Sequence, residues 1–186
     1  MLPIRQLATT ELDAYLDHLL ALTPSDKILR FEYNIQDDTI VSFVDRVRSD
    51  PQSHTIFAIY NDDLVIVGVG HISVIDKRME LAFSVLAEYQ GRGYGGALMS
   101  RCLEWCRNRG ITRGFMTCLA HNSAIRHLAS KHGLSLKTRY GETLAEIELD
   151  AATPFTIANE AIASNYANLD YLSKVSQKMS KAVLLG

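Results

Sequence analysis

The chain has 186 residues, of which 47% are hydrophobic and 22% are charged, and this composition suits one globular domain with its own core. Its formal net charge of −2 gives no reason to expect binding to nucleic acid or to an anionic membrane over the whole surface. No apolar run is long enough to span a membrane, and the N-terminus lacks the basic-then-apolar pattern of a secretory signal, so we expect a cytoplasmic protein.

The cysteines and histidines show no pattern of a disulfide framework or a metal site. Cys102, Cys106 and Cys118 are odd in number and form no C-x-x-C pair, so we expect three buried thiols. The six histidines show no H-E-x-x-H or similar ligand spacing. We therefore predict no metal.

The N-terminal quarter of the chain predicts one strand and two helices. Residues 4–7 are a short strand candidate, and apolar residues then recur at helical spacing from 12 to 20. The run Thr-Pro-Ser at 23–25 ends this helix. A second helix is predicted from an Asp cap at 37–38 to the position before Pro51. No element is predicted between the two helices.

The middle and later parts of the chain predict a sheet with two more helices. Three antiparallel strands are expected at residues 55–60, 64–74 and 79–86, joined by short polar turns. Interior glycines at 68 and 70 mark a bulge or a close approach by another backbone. The later elements are, in order, a helix over 97–109, a strand over 111–119, a helix capped within 121–123 and ended at 132–133, and a hairpin of 134–140 and 144–149.

A glycine-rich loop joins the third strand to the next helix. Residues 91–96 contain four glycines, and they lie where the unpaired amides and the dipole of a helix N-terminus favour an anion. The Lys-Ser/Thr pair of a nucleoside-triphosphate loop is missing. The spacing Gly91-x-Gly93-x-x-Gly96 matches a dinucleotide loop, but it lies mid-chain and no acid follows about 20 residues later. A glycine-rich turn without a ligand is the remaining alternative.

Residues 90–95, Gln-Gly-Arg-Gly-Tyr-Gly, resemble the Q/R-x-x-G-x-G/A loop of the GNAT N-acetyltransferase family. The strand before the loop and the order of the elements after it also resemble that family. The resemblance covers about residues 1–150, and most securely 55–135. It implies an α/β (α+β) fold, namely a mixed, mainly antiparallel sheet of about seven strands flanked by helices. It also implies an N-acetyltransferase with acetyl-CoA as cosubstrate.

The same resemblance implies a cofactor site on the loop, on the strand before it and at a later helix cap. Arg92 is either a charge partner of the pyrophosphate or a solvent-facing loop residue, and Asn122 already has a sufficient role as a helix cap. The predicted cofactor-binding residues are Phe83, Val85, Leu86, Gln90, Gly91, Arg92, Gly93, Tyr94, Gly95 and Asn122.

Glu80 is the predicted general base. It stands in an apolar part of the strand before the loop, where we expect burial to make its carboxylate a stronger base. Resemblance to the bacterial protein-lysine acetyltransferases implies the same role, whereas a polar residue on an open strand face is the alternative. Asp76 and Glu88 are weaker candidates because both look like turn or loop residues. Many relatives carry a tyrosine that protonates the leaving thiolate, but Ala129 occupies its position, which leaves a non-catalytic acyl-CoA sensor as an alternative.

The acceptor of the acetyl group is the least determined part of the prediction. Residues 22–31 resemble a segment of bacterial protein-lysine acetyltransferases, which favours a protein lysine or another exposed alkyl amine. A small-molecule amine is the alternative. By resemblance, the candidate substrate contacts are Arg30, Phe31, Glu32 and Tyr33, although an ordinary loop with solvated charges would have the same sequence.

Residues 151–186 are predicted to be a C-terminal helical extension of the domain at 1–150. The extension carries an apolar stripe at helical spacing. The stripe either packs on its own domain, binds a second copy to form a homodimer, or belongs to a partly disordered tail. Its members are Ile157, Ala161, Ile162, Tyr166, Leu169, Leu172, Val175, Met179 and Val183.

Overall fold

The computed structural model describes the backbone of residues 1–185 and the side chains of residues 1–182. Val183, the last member of the predicted stripe, therefore lies outside the described side chains. The helices are α1 (Leu12–Leu20), α2 (Pro24–Phe31), α3 (Asp37–Ser49), α4 (Tyr94–Asn108), α5 (Ser123–Lys131) and α6 (Pro154–Leu185). The strands are β1 (Arg5–Gln6), β2 (His54–Tyr60), β3 (Ile66–Ile75), β4 (Arg78–Val85), β5 (Arg113–Leu119), β6 (Ser135–Arg139) and β7 (Glu142–Glu148).

The seven strands form one sheet in the order β1-β2-β3-β4-β5-β7-β6. All neighbours are antiparallel except β4 and β5, which are parallel. This confirms the predicted mixed, mainly antiparallel sheet. The parallel pairing joins only Arg78, Met79 and Glu80 of β4 to β5, so the two strands diverge beyond Glu80. The divergence opens a gap in the middle of the sheet.

Helices cover both faces of the sheet, and β3 shows which helix covers which face. A Cβ atom at Gly70 would lie 2.7 Å from Sγ of Cys102 on α4, so the glycine permits the close approach of that helix. The neighbouring residue of β3, His71, points to the opposite face and hydrogen-bonds Tyr15 of α1. The atoms nearest to Gly68 and Gly70 belong to side chains, so the predicted approach of another backbone is not found there. The predicted bulge is found, because the β2–β3 register shifts between Ile59 and Tyr60 and leaves Val67, next to Gly68, without a partner.

The prediction that no element lies between the first two helices is wrong. Residues 24–31 form α2, whose N-cap is Thr23 and whose first residue is Pro24. Oγ1 of Thr23 accepts a hydrogen bond from the backbone N–H of Asp26 at 3.1 Å. A Thr-Pro pair that ends one helix is also a good start for the next, because proline has no N–H to lose at the first helical position.

The C-terminal helix packs through its polar face, and its apolar stripe faces solvent. Tyr171 lies 5.0 Å from the ring of Tyr60, and the guanidinium of Arg5 lies 4.2 Å from the Tyr171 ring. Oγ of Ser164 accepts a hydrogen bond from Arg101 on α4 at 2.6 Å. Leu169 of the stripe is 67% exposed. Of the described members of the stripe, only Val175 is half-buried and the others are exposed. Packing on its own domain, one of the three alternatives, is therefore wrong for most of the stripe.

Among the described residues, no helix combines the length and apolar character needed to cross a membrane.

Candidate active site

A cavity of about 500 Å³ lies beside the gap between β4 and β5. Its walls come from α2, the end of β4, the glycine loop, the first turn of α4 and one side of α5. The side chains and glycines that line it are Leu22, Asp26, Leu29, Arg30, Phe83, Ser84, Val85, Tyr89, Gln90, Gly91, Gly93, Tyr94, Gly95, Gly96, Asn122, Ala124, Ile125, His127, Leu128 and Lys131.

The glycine loop forms one end of this cavity. Gly91 and Gly93 have φ angles of +73° and +80°, a left-handed conformation that other residues adopt only with strain. Gly93 is the N-cap of α4, and no side chain caps that helix. The first-turn amides of α4 are consequently available to a ligand, and the helix dipole adds positive potential there. This end of the cavity fits an anion such as a phosphate group.

Gln90 ties the glycine loop to both walls of the cavity. Its Nε2 donates hydrogen bonds to Oδ1 of Asp26 on α2 and to the carbonyl oxygen of Val85 on β4, each at 3.1 Å. Asp26 also accepts a hydrogen bond from the hydroxyl of Thr23 at 2.6 Å. The start of α2, the end of β4 and the loop are thus held together by one side chain.

Most of the predicted cofactor-binding residues line the cavity, but two do not. Leu86 is buried in the core, and its backbone N–H donates to the carbonyl oxygen of Val67 at 3.0 Å. Arg92 donates to the carbonyl oxygen of Glu88 at 2.9 Å and lies over the Tyr89 ring. The structure brings the others together at the cavity: Phe83, Val85, Gln90, Gly91, Gly93, Tyr94, Gly95 and Asn122.

Glu80 is exposed and does not line the cavity, so its expected burial is wrong. The reason is the alternation of β4, in which Met79 and Leu81 point into the core and Glu80 points away from it. Asp76 has a φ of +49° in the turn before β4, and Glu88 lies in a 3-10 turn after it, as expected of turn residues.

Of the four candidate substrate contacts, only Arg30 lines the cavity. Phe31 packs against Phe43, with the ring centroids 5.6 Å apart. Glu32 ends α2 in a left-handed conformation with a φ of +71°, and Tyr33 is exposed. The segment is thus the end of α2 and the residues after it, and it presents one of the four residues to the cavity.

A buried polar cluster extends from Arg30 to the protein surface. Nη2 of Arg30 donates to the Tyr15 hydroxyl at 3.4 Å and to Nδ1 of His71 at 3.5 Å, while Tyr15 and His71 themselves lie 3.2 Å apart. Nε2 of His71 lies 3.0 Å from Nδ1 of His54. Burial lowers the pKa of His71 well below its ordinary value, lowers that of His54 and raises that of Tyr15. All three groups are neutral at pH 7.

A second buried pair, His18 and Ser84, lies between α1 and β4. Nε2 of His18 is 2.8 Å from Oγ of Ser84, and Nδ1 is 3.0 Å from the carbonyl oxygen of Ile66. Because a carbonyl only accepts, Nδ1 carries the proton and Nε2 accepts from Ser84. Burial, together with the smaller effect of the Arg30 charge, lowers the pKa of His18 to about 4, although the hydrogen bond with Ile66 opposes this shift.

A second groove, of about 1030 Å³, lies away from the glycine loop, between α4, β7 and α6. Two of the arginines in its walls face acidic partners, because Arg113 pairs with Glu148 at 3.4 Å and Arg101 lies 3.6 Å from Glu104. None of the loop residues lines it. The smaller cavity, with its helix N-terminus and its buried polar groups, is therefore the candidate active site.

A family model described as the acetyltransferase (GNAT) family matches residues 14–134, which is more than half of the chain. The chain belongs to this family. The family transfers acetyl groups from acetyl-CoA, so the predicted class of transferase and its cosubstrate are confirmed at the level of the family. The matched residues include the glycine loop and every residue that lines the cavity.

Individual proteins support the same assignment. The uncharacterized N-acetyltransferase YobR of Bacillus subtilis (strain 168) is 33% identical over 86 residues, which is 46% of this chain and 34% of that protein. The chain thus spans about a third of the length of this curated relative. The GNAT domain of S. lividans PAT is similar in structure, with a TM-score of 0.63 and 19% identity over 78% of this chain and 89% of that one. Spermidine N-acetyltransferase from Vibrio cholerae, solved with CoA and spermine, has a TM-score of 0.61 and 13% identity over 78% of this chain and 93% of that one.

This GNAT domain has Ala129 at the position where many relatives carry a tyrosine, and the structure shows where this residue lies and which α5 side chains reach the cavity. Ala129 is fully buried and does not line the cavity. Asn122 is the N-cap of α5, because its Oδ1 accepts from the backbone N–H of Ile125 at 3.2 Å, so its predicted capping role is confirmed. From the same helix, His127 and Lys131 do line the cavity.

Sequence reasoning missed several groups around the GNAT cavity. His127 and Lys131 are four residues apart on α5, and this spacing alone indicates a shared helix face. His18 and Tyr15 lie on the apolar face of α1, and His71 lies inside an apolar strand, so each was a signal of a buried polar group that needs a partner. The partners themselves are far away in sequence and are found only in the folded chain.

The three cysteines are free and buried. Burial raises the pKa of Cys102 well above its ordinary value, and it raises the pKa of Cys106 to about 12 and that of Cys118 as well. Thiols of this kind are poor nucleophiles. Within the described residues, no group of three or more His, Cys, Asp or Glu side chains is placed to hold a metal ion.

Proposed function

We propose that this protein is an N-acetyltransferase that acetylates a primary amine. The observation that carries the proposal is the cavity between the glycine loop and the diverging strands, which joins an anion-binding end to a polar end. Acetyl-CoA supplies a thioester carbonyl that a neutral amine attacks directly. The residues of the cavity bind and orient the cosubstrate and the amine, and they exclude water from the site.

The cavity residues fit the cosubstrate. We assign the pyrophosphate to the amides of residues 91–96 at the N-terminus of α4, where two glycines are in left-handed conformations. The main chain of Phe83 and Val85 follows the gap between β4 and β5 and is suited to the pantetheine arm. Lys131, at the rim, adds positive charge. Leu86 does not line this site, and Arg92 takes part only through its backbone amide in the loop.

Glu80 remains our proposed general base, acting through water. It lies on the same face of β4 as Ser84, and four residues of a strand span about 13 Å, so water has to carry the proton between the cavity and the carboxylate. The resemblance of residues 80–95 to bacterial protein-lysine acetyltransferases supports this assignment. His18 and Ser84 are the competing route, because the Ser84 hydroxyl lines the cavity and donates to a neutral imidazole.

For the acceptor, we propose a protein lysine or another exposed alkyl amine. The proteins with similar folds include a ribosomal-protein-S18-alanine N-acetyltransferase from Escherichia coli and the spermidine enzyme, so amines on proteins and on small molecules both occur among them. A small-molecule amine is the alternative acceptor, and an acyl-CoA sensor without turnover is the alternative function. Purified protein, acetyl-CoA and a broad amine panel test all three. Thiol release with an amine supports the enzyme, whereas CoA binding without any thiol release supports the sensor.

We also propose that the protein is a homodimer formed through α6, with residues 1–150 as the GNAT domain and 151–186 as the extension. Exposed apolar residues recur along the outer face of α6 at intervals of three, four or seven, as in helices that pair with another helix. Phe155, Ile162, Leu169, Leu172 and Met179 belong to this outer face. The positions between them on that face carry no charge, so a second copy offers a matching surface. We also propose a cytoplasmic location, which rests on the sequence observations that no apolar run is long enough to span a membrane and that the N-terminus lacks a secretory pattern.

A further inference from the structure

Arg30 is held in a fixed position at the wall of the cavity. Its guanidinium lies 4.9 Å from the ring centroid of Phe31 and 5.8 Å from that of Phe43. Its two hydrogen bonds, to Tyr15 and His71, are long, at 3.4 and 3.5 Å. Nε is buried and has no hydrogen-bond partner among the described residues. The aromatic rings therefore position the cation, while its donors remain largely unused.

No carboxylate of the described residues lies within 4.0 Å of the Arg30 guanidinium. Arg101, which is buried, instead faces Glu104 at 3.6 Å and Glu160 at 3.8 Å. The two carboxylates nearest along the chain are those of Glu32 and Asp26. Glu32 forms no ion pair with Arg30 within 4.0 Å, and Asp26, one helical turn earlier, accepts hydrogen bonds from Gln90 and Thr23. The positive charge of Arg30 is thus not compensated inside the protein.

The groups that face Arg30 add no negative charge. Tyr15, His71 and His18 all sense its field, and burial keeps each of them neutral at pH 7. A cation that is partly removed from water without a counter-ion is unfavourable, and an anion that enters the cavity relieves this cost. A planar guanidinium with free N–H groups matches a carboxylate in both shape and charge.

The position of Arg30 argues against the cosubstrate as the source of this anion. Its partner His71 lies opposite Ala82 across the β3–β4 pair. The glycine loop, where the phosphate groups fit, begins beyond Val85 at the other end of the cavity. Arg30 is therefore at the end where the acceptor enters, beside the middle of β4.

We propose that the acceptor carries a carboxylate close to its amine and that Arg30 binds this carboxylate. The inference rests on the proposed N-acetyltransferase function, and it names Arg30 as a residue that determines specificity. The carboxylate belongs either to an amino acid with a free terminal carboxyl group or to an acidic side chain beside a lysine in a peptide. Both sources present a carboxylate to the guanidinium, and acceptors that differ only in this group distinguish the two sources.

The test compares acceptors that differ only in this charge. The first series pairs ω-amino acids with their primary amides, and the second pairs lysine peptides flanked by glutamate with the same peptides flanked by glutamine. For each acceptor, kcat/KM is measured with acetyl-CoA, and binding to the complex with CoA is measured by calorimetry. The variants are Arg30→Gln and Arg30→Lys, with Arg46→Gln, an exposed position on α3, as the matched control.

We expect the parent protein and Arg46→Gln to prefer the carboxylate partner of at least one series by about 10- to 100-fold. Arg30→Gln should abolish the preference by raising KM and weakening binding, and Arg30→Lys should restore part of it. A parent protein without any preference overturns the proposal. So does an Arg30→Gln variant that loses kcat equally with charged and amide acceptors.

Binding and turnover report on separate hypotheses. A carboxylate preference in calorimetry without thiol release from any acceptor supports the role of Arg30 and contradicts the proposed enzyme. Thiol release without a charge preference supports the enzyme and contradicts the role of Arg30. CoA-dependent thermal stabilisation of each variant shows that it is folded, because Arg30 makes no ion pair within the described protein whose loss would destabilise it.

Discussion

Gln90 of the glycine loop donates a hydrogen bond to Asp26 of α2 at 3.1 Å, across 64 positions of sequence. The bond links the helix that carries Arg30 to the loop that we assign to the pyrophosphate. Asp26 also helps to start α2 through its hydrogen bonds with Thr23. The same residue therefore holds both the acceptor side and the cosubstrate side of the cavity. Binding at one side is expected to influence the other through this contact.

Asp26→Ala and Gln90→Ala should each weaken CoA binding by about 2- to 10-fold, the effect of one lost hydrogen bond. Calorimetry on both variants and on the double variant measures the coupling. The double variant should be little worse than either single variant, because both remove the same bond. Asp62→Ala, an exposed aspartate in the turn between β2 and β3, is the control. If the losses of CoA-binding free energy in the two single variants simply add in the double variant, the hydrogen bond between Asp26 and Gln90 does not support CoA binding.

Gly93→Glu should abolish CoA-dependent thermal stabilisation. The substitution places a carboxylate beside the α4 amides, and a side chain at a φ of +80° is strained. Gly110→Glu is the matched control, because Gly110 has a φ of +71°, equally open space around its Cβ position and no contact with the cavity. Stabilisation by CoA that persists in Gly93→Glu would rule out this site.

Glu80→Gln should keep the affinity for acetyl-CoA and lower turnover by roughly 10²–10⁴-fold if Glu80 is the base. The pH–rate profile should also lose its acidic limb. Glu142→Gln, at an exposed position of β7, serves as the control. Turnover at the parent rate would transfer the role to water or to the pair of His18 and Ser84.

His18 should make the free energy of unfolding depend on pH. Its pKa is about 4 in the folded protein, below the ordinary value of 6.5, so the unfolded chain binds the proton more tightly. Stability is therefore complete above pH 6.5 and falls as the pH drops toward 4, by up to about 3 kcal/mol from this group. In urea unfolding, the loss between pH 7 and pH 4 should be smaller for His18→Gln than for the parent. Equal losses would show that His18 is not held neutral.

Leu169→Lys and Ile162→Lys should convert the proposed dimer into a monomer in sedimentation experiments, with little change in the unfolding temperature of the domain. Both side chains are exposed in the single chain, so a lysine there meets water unless a second copy covers it. Ile75→Lys changes an exposed apolar residue outside α6 and should leave the dimer intact. A parent protein that already sediments as a monomer dismisses the dimer.

Local patterns in the sequence determined most of the elements and one end of the cavity. The alternation of β4, the helical repeats of α1 and α4, and the left-handed glycines of the loop all depend on residues a few positions apart. Such signals report backbone preferences, and these preferences persist in the folded chain. The Thr-Pro pair at the start of α2 was also a local signal. Such a pair can follow the end of one helix or start the next helix, and the sequence did not distinguish these two roles.

Only the tertiary structure decided how these elements share charges and surfaces. The side chains that surround Arg30 include Tyr15 of α1 and His71 of β3, which are 15 and 41 positions away in sequence. Only the folded chain shows that these neighbours carry no negative charge. Likewise, the apolar stripe of α6 shows which face of the helix is hydrophobic, but its packing depends on where Arg5, Tyr60 and Arg101 lie. A helical period records the composition of each face, whereas burial depends on the neighbours that the whole fold brings to it.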